Sequence, residues 1–246
     1  MKILVPISKV PDTTSKIAFT DGDSKFAEEG IQWIVNPYDE WYALVRALEL
    51  VEAGGGTVTV INVGDAASDP VIRKALALGA HEAVRIDTDA SESYVVAKEI
   101  AAYASDKGFD MVLLGKETIS YNGSEVGGML AEFMNVPYIS LASSLEVNGD
   151  SATMDRTIEG GVEVVEVKMP FVASASKGMA EQRIPNMRGI MAARTKPLTV
   201  VPASGADAKT AYVKYGLPDA KSEVKLVDAE NMDELVNLLH TEAKVI

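Results

Sequence analysis

The chain has 246 residues, 47% hydrophobic and 24% charged, enough to bury a substantial core as one α/β domain or as a domain with an appendage. Its 36 acidic against 23 basic residues give a net charge of −13, which excludes a general affinity for nucleic acid or anionic lipid. Cysteine is absent and histidine occurs only at 81 and 240, which removes disulfides, thiolate nucleophiles and His-rich metal sites, so no catalytic and no metal residues are expected.

The apolar runs "ILVPI" and "MVLL" fall far short of the roughly 20 residues that span a bilayer. With strand-like sequence from the start, a cytoplasmic protein that is not membrane-embedded is expected. "KILVPI" reads as the first strand, and a helical pattern follows over 38–53, with Leu44, Leu48 and Val51 on one face. "TVTVINVG" at 57–64 reads as a strand and "DPVIRKALALG" at 69–79 as a helix, Pro near its start and Gly at its end. "EAVRID" is a weaker strand, 92–105 a helix and "DMVLLG" at 110–115 a strand; a further helix starts near Ser124. Strands alternating with helices predict a doubly wound, mostly parallel sheet, and their continuous apolar character predicts cover on both faces.

From about residue 141 the pattern changes. "NGD" and "EGG" turns separate β-rich runs, the signal for antiparallel hairpins, here read as a meander that extends or flanks the sheet. "KMPFVASAS" then reads as a buried strand, and "RIPNMRGIMAARTKPL" at 183–198 as a basic, apolar, Pro-broken surface that touches another macromolecule. After Pro197 the chain is an extended arm ending in a short amphipathic helix at 231–240. It holds too few apolar residues to fold alone and is expected to pack on a partner. The expected division is therefore a nucleotide-binding domain over 1–196, including meander and basic segment, and a C-terminal arm over 197–246.

Ligands of open parallel sheets bind beyond the carboxyl ends of the strands, at the switch point. Of the loops that follow strands, "GKETISYNGSEVGGMLAEF" is the most informative: a Gly-rich stretch with Lys, Thr and Ser leads into a helix N-terminus, which aims backbone amides at a phosphate. It is neither a Walker A loop nor G-x-G-x-x-G, and Gly123, Gly127 and Gly128 serve a phosphate cradle or simply turns and close helix packing. Glu125 opposes an unshielded phosphate but suits a first helical turn. Asn36 and Pro37 either start a helix, or Asn36 closes over a ligand beside the first strand.

"KILVPISKVPDTTSKI", "NPYDEWYALVRALEL", "VIRKALALGAHEAVRI", "DMVLLGKETISYNGSEVGGMLAEFMNVP", "DRTIEGGVEVVEVKMPFVASAS" and "RIPNMRGIMAARTKPL" are collinear with the β subunit of electron-transfer flavoprotein. The chain resembles that family over nearly all of residues 1–240. The resemblance implies an adenine nucleotide alpha-hydrolase-like fold and an α subunit partner holding a redox-active FAD. It also implies a buried AMP in this chain, or a second FAD in an electron-bifurcating relative fed by NADH. The implied cofactor-binding set is Pro6, Asn36, Val63 and, in one loop, Gly115, Lys116, Glu117, Thr118, Asn122, Gly123, Ser124, Glu125 and Val126. Ser124, Glu125 and Val126 stand where many relatives have Asn, Gln and Thr, which leaves backbone donors in place but changes the side chains.

By the same resemblance Tyr38 matches an aromatic residue near the FAD, while Thr13 replaces a Tyr. Arg156 matches a family Arg, and Thr157 replaces the acid beside it. The segment 183–195 matches a recognition loop that anchors partner dehydrogenases. Met187 stands at the anchor, Ile190 and Met191 beside it, and Arg183 and Arg188 offer charges to acidic groups; the alternative is that Met187 and Met191 pack inward. The implied role is an electron carrier subunit rather than an enzyme, serving fatty acid β-oxidation. It accepts electrons from flavin dehydrogenases such as acyl-CoA dehydrogenases and passes them to a membrane quinone oxidoreductase. A free-standing adenylate-binding regulatory domain is the alternative outside the family.

Overall fold

The computed structural model describes residues 1–89, 91–221 and 223–246, so Ser222 of the arm lies outside the described residues. Alternation of apolar strands and amphipathic helices gives β1 (Lys2–Pro6), α1 (Asp39–Gly54), β2 (Thr57–Val63), α2 (Asp69–Leu78), β3 (Glu82–Asp87), α3 (Ser93–Ala104), β4 (Met111–Gly115) and α4 (Val126–Met134). After these come β5 (Tyr138–Ala142), β6 (Glu146–Asn148), β7 (Ser151–Ile158), β8 (Gly161–Lys168), β9 (Phe171–Ala175), α5 (Met187–Ala193) and β10 (Leu198–Pro202). Among the described residues these strands form one sheet in the order β6-β7-β5-β9-β4-β1-β2-β3-β10, with β8 on the other edge of β7.

From β5 to β10 the sheet is parallel, and only β6, β7 and β8 pair antiparallel. Alternate strand residues divide the core in two. Ile3, Val5, Val58, Val60 and Met111 meet Leu44, Leu48, Ile72 and Leu76 on one face. Leu4, Ile61, Val84, Ile86 and Val112 meet Ile100, Ala101 and Leu130 on the other. This is the covered parallel sheet that continuous apolar runs demand.

The segment "FVASA", expected as a buried strand, is one: β9 enters the sheet between β5 and β4, parallel to both. All five of its residues are buried, and small residues let both layers of helices close over it. One expectation needs correction: the start of the arm is sheet, because Leu198–Pro202 pairs in register with Ala83–Asp87 of β3. The "NGD" and "EGG" turns do form hairpins, joining β6 to β7 and β7 to β8.

The chain leaves β10 along α3. The buried Glu99 carboxylate accepts from the backbone N–H groups of Ser204, Gly205 and Ala206 at 2.6 to 3.1 Å, and from the Ser204 hydroxyl. Burial works to raise its pKa, but these donors prevail and hold it below the usual carboxylate range.

Two compact units are present. One comprises Met1–Ile17 with Ala27–Val213; the other, Ala18–Phe26 with Lys214–Ile246. Within the second, Tyr215 stacks on Phe19 with ring centroids 5.1 Å apart and its N–H donates to the Asp23 carbonyl. Its helix α6 (Met232–Leu238), capped by Asn231, has no buried residue.

At Gly127 a Cβ would lie 2.7 to 2.9 Å from Tyr138 Oη, Cε2 and Cζ, so α4 sits on β5 only because that position lacks a side chain. Gly127→Ala is expected to lower stability by about 1 to 3 kcal/mol, the usual cost of overpacking, in denaturant unfolding.

Strand ends at the sheet switch point and an exposed methionine helix

The strands run outward from β1 to β2 and β3, then return to the other side of β1 at β4. The carboxyl ends of β1 and β4, at Pro6 and Gly115, therefore flank the switch point. Gly115 fits there because a Cβ would come within 2.8 Å of Glu40 Cγ and backbone N at the start of α1.

Asn36 holds the loop that follows Gly115. Its buried carboxamide donates from Nδ2 to the Glu117 carbonyl and accepts at Oδ1 from Ile119 N–H, both at 2.9 Å. Its own N–H donates to the Ser8 carbonyl at 3.2 Å. Asn36 is thus a brace between the β1 end and the loop, neither a helix cap nor a free side chain. The loop turns where Asn122 N–H meets the Thr118 carbonyl at 2.8 Å, and Asn122 and Ser124 take left-handed backbone, φ 50° and 54°. Ser124 Oγ donates to Glu117 Oε2 at 3.0 Å, and Lys116 Nζ lies 3.4 Å from Glu117 Oε1. Glu125 precedes α4 without its side chain capping the helix, so the first amides of α4 receive no bond from it.

Beneath this loop Glu40 is fully enclosed. Its carboxyl oxygens meet Ser8 N–H and Ser8 Oγ, both at 2.7 Å. Burial pushes its pKa up to about 8 despite the two Ser8 hydrogen bonds, with nearby Asp39 adding to the rise. Asp39 is itself raised, by burial and Glu117, against the opposing charge of Lys116. Tyr38, between Asn36 and Asp39, is 54% exposed at φ 64°, a conformation costly for a non-glycine residue.

On the β2 side Val63 is buried and Asn62 Nδ2 donates to the Ile7 carbonyl at 2.9 Å. Asn62 Oδ1 is buried with no partner, the one such side-chain atom found among the described residues. Arg85 fixes the adjoining turn by donating to the Gly64 carbonyl, Asp69 and Asp87 at 2.6 to 3.0 Å.

The basic segment lies apart from these strand ends, on α2. Arg73 donates to the Ala193 and Lys196 carbonyls, and Lys196 Nζ donates to those of Leu76 and Ala80 at the C-terminus of α2. Gly189 permits the approach, because a Cβ would overlap the Ala77 carbonyl. Fastened from beneath, the segment leaves Ile184 88%, Met187 73% and Met191 56% exposed, with Ile190 and Arg188 also outside. Arg183, by contrast, is engaged at home: both terminal nitrogens meet the Glu52 carboxylate, at 2.7 and 3.0 Å, and its carbonyl accepts from Trp41.

The model of the electron transfer flavoprotein domain matches residues 23–206. The chain belongs to the electron transfer flavoprotein family. It is 36% identical, over all of both chains, to the electron transfer flavoprotein subunit beta of Bacillus subtilis. It is 33% identical to that of Syntrophomonas wolfei over 93% of this chain and 90% of the relative. The subunit from Bradyrhizobium diazoefficiens is 31% identical over the whole of both. Similarity is thus of the β-subunit type from end to end.

Of the residues that the family resemblance assigned to cofactor binding, Pro6, Asn36, Val63, Gly115 and the loop to Val126 gather at the carboxyl ends of three neighbouring strands. Glu40, Ser8 and Asn62 escaped the sequence reading. Glu40 is in phase with Leu44, Leu48 and Val51 on the buried face of α1, and Asn62 is the polar interruption of "TVTVINV"; each mismatch is a usable signal.

Glu40 gives a pH prediction. Its folded pKa of about 8 exceeds its ordinary 4.5, so its favourable contribution is complete below 4.5 and is lost as pH rises through 8. Glu40→Gln keeps an acceptor for Ser8 N–H and cannot ionise. The variant is expected to lose the wild-type decline in stability between about pH 5 and 8, on the order of a few kcal/mol, in thermal unfolding at stepped pH.

Proposed function

We propose that this chain is the β subunit of an electron carrier, binding an AMP in the switch-point crevice and pairing with an α subunit that holds FAD. The observation that carries the nucleotide is the braced loop 115–126, which brings backbone N–H groups and the start of α4 to the carboxyl ends of β1 and β4. The buried, unpartnered Asn62 Oδ1 lies at the carboxyl end of β2, among these strand ends, and remains able to accept a donor such as a base N–H. Residues 122–126 would hold the phosphate mainly through backbone, since Ser124 and Lys116 are engaged with Glu117.

FAD supplies one- and two-electron chemistry when bound to the partner. The chain's own residues dock and orient. Tyr38 presents an exposed aromatic ring toward that cofactor's side of the pair. Met187, Met191 and Ile190 form an adaptable apolar contact for flavin dehydrogenases, including acyl-CoA dehydrogenases, and Arg188 supplies the free charge beside them. Electrons then pass to a membrane quinone oxidoreductase. The arm seats on the α subunit, where the exposed Val224 and Leu226 would be covered.

Denaturing the purified pair and weighing what is released tests this reading. One FAD with one AMP is expected; two FAD would replace it with electron bifurcation, and nucleotide without flavin with a free-standing regulatory domain. Met187→Ala is expected to weaken dehydrogenase affinity about tenfold, from lost apolar burial of roughly 1 to 3 kcal/mol, in electron-transfer kinetics. Its melting temperature should stay unchanged, because the side chain is 73% exposed.

A further inference from the structure

Beyond β10 the chain does not leave the domain at once. Residues 204–206 sit on Glu99 in the middle of α3. Toward the N-terminus of that helix, Lys209 Nζ lies over the Tyr94 ring at 5.5 Å and Thr210 Oγ1 donates to Glu92 Oε1 at 3.1 Å. Glu92 is the cap of α3, its other oxygen accepting from Val95 N–H at 3.2 Å. Two residues further on, Tyr212 stacks on Tyr121, with ring centroids 5.0 Å apart and planes 21° from parallel.

Tyr121 is part of the 115–126 loop. It directly precedes Asn122, Gly123 and Ser124, whose backbone makes the left-handed turn facing the start of α4. The same turn adjoins α3, since a Cβ on Gly123 would stand 3.7 Å from Ser93 Oγ. The loop is therefore held at two places by different means: at Glu117 and Ile119 by hydrogen bonds to the buried Asn36, and near its tip by a half-exposed aromatic stack among its contacts. Buried hydrogen bonds of this kind are costly to break, whereas a half-exposed ring pair separates readily.

We propose that residues 203–213 form a strap whose Tyr212 holds the tip of the loop closed through Tyr121, so that a bound adenine nucleotide leaves only when the strap lifts. The inference rests on the nucleotide reading above. Tyr212 is a positioning residue: it acts on the ligand through Tyr121. Linkage makes the effect reciprocal, so a bound nucleotide keeps the strap seated.

The test uses the full chain purified with its α-type partner and measures exchange of bound AMP against labelled AMP. Tyr212→Ala is expected to speed exchange about three- to tenfold, the size of one aromatic pair, while Tyr212→Phe, which keeps the stack, exchanges more slowly than Tyr212→Ala. In parallel, trypsin cleavage after Lys209 should be slowed by AMP in the wild type and little affected by it in Tyr212→Ala. Equal exchange rates in wild type and Tyr212→Ala overturn the strap and leave the nucleotide site standing. A wild-type pair that binds no AMP overturns the site and the strap together.

Discussion

One carboxamide organises the carboxyl edge of the sheet. Asn36 uses both ends of its side chain on the backbone of the loop after β4, and its own N–H on the backbone after β1. A buried amide left unpaired costs about 1 to 3 kcal/mol, so the three segments are tied into one arrangement or none. The absent side chain of Gly115 lets α1 approach from below, and the loop is anchored at the end of the sheet before residues 119–125 reach solvent.

The same edge concentrates polar groups that the interior would otherwise exclude. Glu40, Asn62 and Arg85 all lie there, each more than nine-tenths buried. Arg85 is neutralised by two aspartates, and Glu40 is enclosed in a form that favours its proton. Only Asn62 retains an unsatisfied oxygen. Elsewhere the sheet is filled mainly by apolar residues on both faces, with Thr59 and Ser174 buried among them.

The first half of the fold was legible because its strands are short apolar runs and its helices carry clear apolar stripes; helices read over 38–53, 69–79 and 92–105 stand at 39–54, 69–78 and 93–104. β9 is legible as a buried strand, but its neighbours and the strand character of β10 are not, because strand pairing is not local. Nothing within "FVASA" says which strands flank it, and "LTVVP" looks like a linker until β3 is beside it. The Gly-rich loop stands out in the sequence, but the brace role of Asn36 does not, since the partners of its amide are 81 and 83 residues away. Likewise, Arg183 read as a free charge because Glu52 lies 131 residues from it in sequence.

The helix of exposed methionines owes its position to main-chain carbonyls gripped by Arg73 and Lys196 and to the bare flank of Gly189. None of those supports touches the side chains it displays. Support and display are therefore separable under mutation: the outward residues can drift through successive substitutions and adapt to a new dehydrogenase while the inward grip stays constant. A lineage could in this way change its redox clientele without passing through a misfolded ancestor.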